Sequence, residues 1–120
     1  MEKELNIIQM EILYDGYFVN GKFEGKGKYN YDNGNYFIGE YKNGLRNGKG
    51  IVYYRNGNTM VEGEFVNDKF EGKGKFIWED GKYYIGEFKN GLRNGKGIYY
   101  YSNGKIKYDG EFVNGKYVGK

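Results

Sequence analysis

The chain contains no cysteine, no histidine, no proline and no alanine, and serine and threonine occur once each, as Ser102 and Thr59. Without His or Cys there is no Ser-His-Asp or Cys-His nucleophile, no imidazole to move a proton and no thiolate zinc site. Disulfides are excluded, so cysteine usage leaves the redox compartment open. No apolar run approaches the length of a membrane-spanning helix. The start, Met1-Glu2-Lys3-Glu4, is acidic where a secretory leader is basic, and no small-residue cleavage site follows it. A soluble, cytoplasmic chain is expected, free or peripheral to a membrane. The formal net charge is only +3, with 8 basic against 7 acidic residues in 1–60 and 11 against 9 in 61–120. A nucleic-acid binder carries a larger and more one-sided excess.

What is abundant is glycine, at 22 residues, and aromatic rings, with 15 Tyr, 8 Phe and 1 Trp in 120 residues. They fall in a repeat. Residues 14–60 laid on 61–107, a shift of 47, match at 30 of 47 positions without a gap. Within it lies a finer period: Gly16, Gly39, Gly63, Gly86 and Gly110 are spaced 23, 24, 23 and 24 apart. Glycine pairs follow at Gly25 and Gly27, Gly48 and Gly50, Gly72 and Gly74, Gly95 and Gly97. Periods of this length mark an architecture whose neighbouring units must stack to bury apolar surface. The expected organisation is a degenerate capping segment over 1–13 and a repeat domain over 14–120. Its four full units start near 14, 37, 61 and 84, and a truncated fifth runs from 108.

Each unit reads as two strands. Alternation over Tyr14–Val19 and again over Gly27–Tyr31 has period two, with one aromatic and one polar face. The loop between them is read as Asn20-Gly21-Lys22-Phe23-Glu24-Gly25. Asp32-Asn33-Gly34 is read as the tight turn, with positive φ at Asn-Gly, and Asn56-Gly57, Asp80-Gly81 and Asn103-Gly104 fill the same slot. The product is an all-β, single-layer antiparallel meander. Its aromatic face takes Phe18, Tyr41, Phe65, Phe88 and Phe112 from first strands, and Tyr29, Tyr31, Val52, Tyr54, Phe76, Trp78, Tyr99 and Tyr101 from second strands. The other face alternates Lys26, Lys28, Lys49, Lys73, Lys75 and Lys96 with Glu40, Glu64, Glu87 and Glu111, and reads as solvated, with cross-strand ion pairs that help fix register. The extra residue before Gly63 and before Gly110 predicts a β-bulge or a longer turn. Ile8, Met10, Ile12 and Tyr14 continue the alternation upstream, so residues 6–13 read as a capping strand, with an amphipathic helix as the alternative.

Candidate chemistry is scarce. Gly44-Leu45-Arg46-Asn47-Gly48-Lys49-Gly50 has the Gly-Lys of a phosphate loop, but its glycines are one residue too close, no Ser/Thr follows and no helix opens. Glu40, Glu64, Glu87 and Glu111 recur once per unit among lysines, as a salt-bridge ladder does, rather than as a general acid–base pair. Asp32-Asn33-Gly34-Asn35 and Glu79-Asp80-Gly81 offer too few oxygens for a calcium shell and read as turns. No catalytic, cofactor-binding or metal-binding residue is assigned, and an enzyme acting on a small-molecule substrate is not expected.

The unit Tyr-x-Gly-Glu-Phe/Tyr-x-Asn-Gly-x-x-x-Gly-x-Gly, clearest in Ile38–Gly50 and in its copy Ile85–Gly97, resembles the MORN (membrane occupation and recognition nexus) repeat. The resemblance covers residues 14–120. It implies an elongated rod of β-hairpins with an aromatic-lined groove, and a non-catalytic module. Similar proteins are linked to anionic phospholipid, to scaffolding and dimerisation, and, in small bacterial versions, to neutralising a partner such as a toxin. The family often has a basic residue at the loop tip; Arg46 and Arg93 keep it, whereas Phe23, Phe70 and Tyr117 replace it.

The function expected is therefore a protein-binding module that holds, and in one form inhibits, a partner through its aromatic groove or edge strands. The residues assigned to partner binding are Tyr31, Tyr54, Trp78 and Tyr101 on the groove face, Phe23 and Phe70 as exposed loop-tip rings, and Arg46 and Arg93. The alternatives are peripheral binding to anionic lipid through Arg46, Arg93 and the lysines, and a homodimeric scaffold joined by edge strands.

Overall fold

The computed structural model describes residues 10–12, as backbone, and 16–120. Among these described residues eleven strands form a single antiparallel sheet: β1 (Met10–Ile12), β2 (Tyr17–Val19), β3 (Lys22–Asn30), β4 (Tyr36–Lys42), β5 (Leu45–Tyr53), β6 (Thr59–Val66), β7 (Lys69–Ile77), β8 (Tyr83–Lys89), β9 (Leu92–Tyr100), β10 (Ile106–Val113) and β11 (Lys116–Gly119). From β3 onward each strand pairs with the next in sequence, and β1 and β2 both pair with β3. The expected all-β meander is the observed fold. Of the capping segment read over 6–13, Met10–Ile12 are strand and pair with Gly27–Tyr29, and the remainder lies outside the described residues. Among the described residues no helix is long and apolar enough to cross a membrane.

The two kinds of connection trade places relative to the sequence reading. Both central residues have positive φ at Asn20-Gly21 (51° and 78°), Asn43-Gly44 (53° and 77°) and their three successors, so these are the tight two-residue hairpins. Lys22–Gly25, read as loop, already belongs to β3. In the Asp32-Asn33-Gly34 slot only the glycine is left-handed, at 92°. There the Asn33 Oδ1 accepts the N–H of Asn35 at 3.0 Å, and Gly34 N–H donates to the Tyr31 carbonyl at 3.0 Å. That side-chain bond holds the asparagine in a wider turn.

The tight turns stack. Gly44, Asp68, Gly91 and Gly115 each donate their N–H to the carbonyl of Phe23, Arg46, Phe70 and Arg93 in the preceding unit, at 2.8–2.9 Å. The Asn before each is held by a side chain of that same unit: Glu24 accepts from Asn43, Asn47 from Asn67, Glu71 from Asn90 and Asn94 from Asn114. Glu and Asn alternate as caps, so the capping repeats every two units.

A row of glycines crosses the sheet. Gly27, Gly39, Gly50, Gly63, Gly74, Gly86, Gly97 and Gly110 are direct cross-strand partners in succession. Rings lie down on this row: Phe37 over Gly39 and Gly50, Phe70 over Gly63 and Gly74, Tyr84 over Gly86 and Gly97. A Cβ on Gly39 would stand 2.6 Å from Phe37 Cζ, so no other residue fits there. Phe37 and Tyr84 are 0% exposed although no second layer covers them. The sheet must therefore curl around its ring-bearing face. The molecule measures 47 × 28 × 26 Å, with a radius of gyration of 15.5 Å, against about 13.6 Å for a compact domain of this length.

The extra residues before Gly63 and Gly110 are bulges, as the spacing predicts. Thr59 and Val61 oppose adjacent Tyr53 and Val52, leaving Met60 over, and Ile106 and Tyr108 oppose adjacent Tyr100 and Tyr99, leaving Lys107 over. On the opposite face the register sets Lys26 against Glu40, Lys49 against Glu64, Lys73 against Glu87 and Lys96 against Glu111. That face is not only charged. Tyr36 stacks on Tyr53 at 4.9 Å and Tyr83 on Tyr100 at 4.4 Å, with Lys28 and Lys75 over the first ring of each pair.

Candidate functional site

The ring face carries a continuous chain of aromatic contacts. From Phe18 it runs through Phe23, Tyr41, Phe37, Phe65, Phe70, Phe88, Tyr84 and Phe112 to Tyr117, with centroids 4.6–5.5 Å apart. It then turns back along the ring face through Tyr108, Tyr99, Trp78 and Phe76. The first stretch is mostly core, predominantly edge-to-face packing of buried rings. The return stretch is only partly covered: Trp78 and Tyr99 are half-buried, Tyr108 is 36% and Tyr101 44% exposed.

Two of the candidate residues are misplaced by the sequence reading. Phe23 and Phe70 are 1% and 6% exposed. The connection before them is a two-residue turn rather than a six-residue loop, so they sit second in β3 and β7 and point into the core. For the same reason Arg46 and Arg93, second in β5 and β9, do not project from loop tips. Each lies across the ring face.

Arg46 is tied down. Its Nε lies 2.7 Å from Asp68 Oδ1, its Nη2 donates to the Asp68 carbonyl at 2.8 Å, and its Nη1 donates to the Tyr31 hydroxyl at 3.1 Å. Its guanidinium stands 5.0 Å from the Phe65 centroid and 5.7 Å from that of Phe37. Burial pulls the guanidinium's pKa down, but Tyr31 and Asp68 outweigh it and the net shift is upward. Burial also pushes the Tyr31 phenol up, against the pull of Arg46.

Arg93 occupies the corresponding place one 47-residue shift later. Its guanidinium centre is 5.3 Å from Trp78, 5.5 Å from Tyr99, 5.6 Å from Phe112 and 5.9 Å from Tyr84. Lys107 Nζ lies 5.3–5.7 Å from Tyr99, Tyr101 and Tyr108. The structure thus gathers Trp78, Tyr101 and Arg93 into one region, and places Tyr31 with Arg46 in another. Tyr54 lies between, its hydroxyl bonded to the Ile77 carbonyl at 2.5 Å. Burial raises its phenol pKa.

Lys107, Tyr99, Tyr108 and Tyr117 were not among the candidates. The signal for Lys107 was present, since it is the inserted residue that lengthens the spacing before Gly110, and a bulge re-aims the side chain it carries. Away from the rings, on the opposite face, Lys96, Asp109, Glu111 and Lys120 line an open depression of about 520 Å³ that mixes acids with lysines.

The MORN repeat profile matches residues 14–36, 37–59, 62–83, 84–106 and 108–120. The chain belongs to the MORN repeat family and is built almost entirely of its units. These repeats are non-catalytic binding modules that engage proteins or membranes. No curated protein matches the chain.

Proposed function

We propose that the chain is a non-catalytic module that holds a partner protein against the ring face of its C-terminal half. The observation that supports this is the half-exposed cluster of Trp78, Tyr99, Tyr101 and Tyr108, continuous with a rigid aromatic core. Tyr and Trp fixed in this way offer large contact area at little entropic cost, which is the composition of protein-binding hot spots. Seating a partner there covers part of its surface, and inhibition or neutralisation is the form of action such a module supplies. The proposed location is the cytoplasm. Binding to anionic lipid is less well supported, because Arg46 and Arg93 lie inward over rings rather than along an outer row. Self-association by strand addition is the third reading, since an unpaired sheet edge can take a further strand.

The test is affinity capture from the source extract, followed by titration of the recovered protein against variants of known melting temperature. Trp78→Ala and Tyr101→Ala should each weaken binding about tenfold or more. Lys26→Glu and Lys49→Glu, on the opposite face, should leave it unchanged. Full affinity in both ring variants would overturn the ring-face reading.

A further inference from the structure

The two arginines are equivalent by the 47-residue shift, yet their surroundings differ in one consistent direction. Asp68 and Tyr31, which accept from Arg46, correspond to Gly115 and Trp78, neither of which has a side-chain acceptor. Met60, packed on the core, corresponds to Lys107. Val52 and Val61, both buried, correspond to Tyr99 and Tyr108. An anion is removed, a cation is added and the aromatic wall is enlarged, all around one point on the ring face. Asp109 and Glu111 of β10 line the depression on the other face. Among the described residues, no carboxylate lies within ion-pair distance of the Arg93 guanidinium or the Lys107 ammonium.

We propose that Arg93, with Lys107 beside it, anchors a carboxylate side chain of the bound protein, whose apolar neighbour lies on Trp78 and Tyr99. The inference rests on the ring-face reading above and names the chemistry of the segment seated there. A guanidinium set among rings and without an ion-pair partner presents a planar N–H fork, and that fork matches a carboxylate through two parallel bonds. The surrounding rings exclude water and strengthen the contact. Lys107 adds positive charge without competing for the same geometry. A protein segment is favoured over a membrane because the two cations sit together within an aromatic wall on a curled face. The rest of the surface sets acids opposite lysines, whereas a membrane calls for a broad positive surface.

The test is selection of a displayed random-peptide library on the full-length chain, then titration of the selected peptides against wild type, Arg93→Gln and Gly115→Asp. Gly115→Asp gives Arg93 the internal partner that Arg46 already has, at a turn position where Asp68 shows that aspartate is tolerated. It therefore removes the free cation without removing a side chain. The expected result is peptides enriched in Asp or Glu, bound about tenfold or more weakly by both variants. Replacing the peptide acid by its amide should weaken binding to wild type and cause no further loss in Arg93→Gln. Peptides lacking acids and bound equally by all three proteins would overturn the carboxylate anchor and leave the ring-face reading standing. If no peptide is selected, both fall. Phosphatidylserine vesicles that bind wild type but not Arg93→Gln, with no peptide selected, would overturn the proposal in favour of a lipid headgroup.

Discussion

Arg46, second in β5, reaches Asp68 in the turn of the next hairpin, with Nε 2.7 Å from Oδ1. Asp68 holds a φ of 75° in a place filled by glycine in the other four tight turns. A left-handed aspartate is unfavourable relative to glycine, and the charge-assisted contact offsets that cost. The Asp68 side chain is 46% exposed and that of Arg46 24%, so screening by solvent keeps the pair modest. Asp68→Asn keeps the turn geometry and removes the charge, and should lower stability by about 1 kcal/mol in urea titrations at low salt. The loss should shrink as salt rises. Asp68→Gly should cost less than Asp68→Asn, because it also relieves the turn.

Tyr41 is 4% exposed, and its buried hydroxyl has no hydrogen-bond partner among the described residues. Burial pushes its phenol well above the ordinary tyrosine value, and burial raises Tyr31 as well. A raised folded-state value means that the fold favours the neutral phenol. The contribution is therefore fully present below the unfolded value, about pH 10, and is lost as pH climbs from there toward the folded value. Melting temperature should hold level up to about pH 9 and fall steeply above about pH 10. Tyr41→Phe removes both the orphaned hydroxyl and the titrating group. It should raise stability at neutral pH by about 1 kcal/mol and flatten the alkaline fall. An unchanged alkaline limb would show that other groups govern it.

The repeat made the architecture legible, because period-two alternation punctuated by Asn-Gly has few solutions other than a meander. It also located the bulges, since an inserted residue in an otherwise constant spacing has to go somewhere. It misassigned the turns because each unit contains two turn signals, and composition alone does not say which closes in two residues. That one-slot error carried over to the site. It turned Phe23 and Phe70 from core residues into exposed tips and Arg46 and Arg93 into outward cations. Glycines on one face of a sheet leave room for rings to lie over the backbone, but that Phe37 and Tyr84 are those rings was not legible, because their partners are glycines on neighbouring strands and the relation exists only once register is known. The difference between Arg46 and Arg93 was written in the mismatched positions of the two halves, but Trp78, Lys107 and Gly115 converge only in three dimensions.

The glycine row is the least replaceable part of the chain. A Cβ on Gly63 would stand 2.7 Å from Phe70 Cζ and 3.0 Å from the Lys73 carbonyl oxygen, on a backbone at φ 157°. The ring has nowhere to retreat, since Phe65 and Phe88 pack against its sides at 5.1 and 4.6 Å. Gly63→Ala should destabilise by about 3 kcal/mol. Gly91→Ala, in a tight turn where nothing lies within 4 Å of the added carbon, should cost only about 1 kcal/mol, from its φ of 81°. Equal losses in chemical denaturation would mean that backbone conformation, not ring packing, selects glycine in the row.

The caps between units act locally, and hydrogen exchange can resolve them. Glu71 accepts the N–H of Asn90, and Gly91 donates to the Phe70 carbonyl one residue before it. Glu71→Ala should therefore leave the core rings in place and loosen one turn. Losing a capping bond of this kind costs about 1 kcal/mol, so the Asn90 amide should exchange about fivefold faster. The Asn114 amide, held by Asn94 at 3.1 Å, should keep its wild-type rate. Glu24→Ala should do the same at Asn43 and spare Asn67, which is bonded to Asn47 at 2.9 Å. Faster exchange along the whole sheet would instead assign these glutamates to the global stability of the rod.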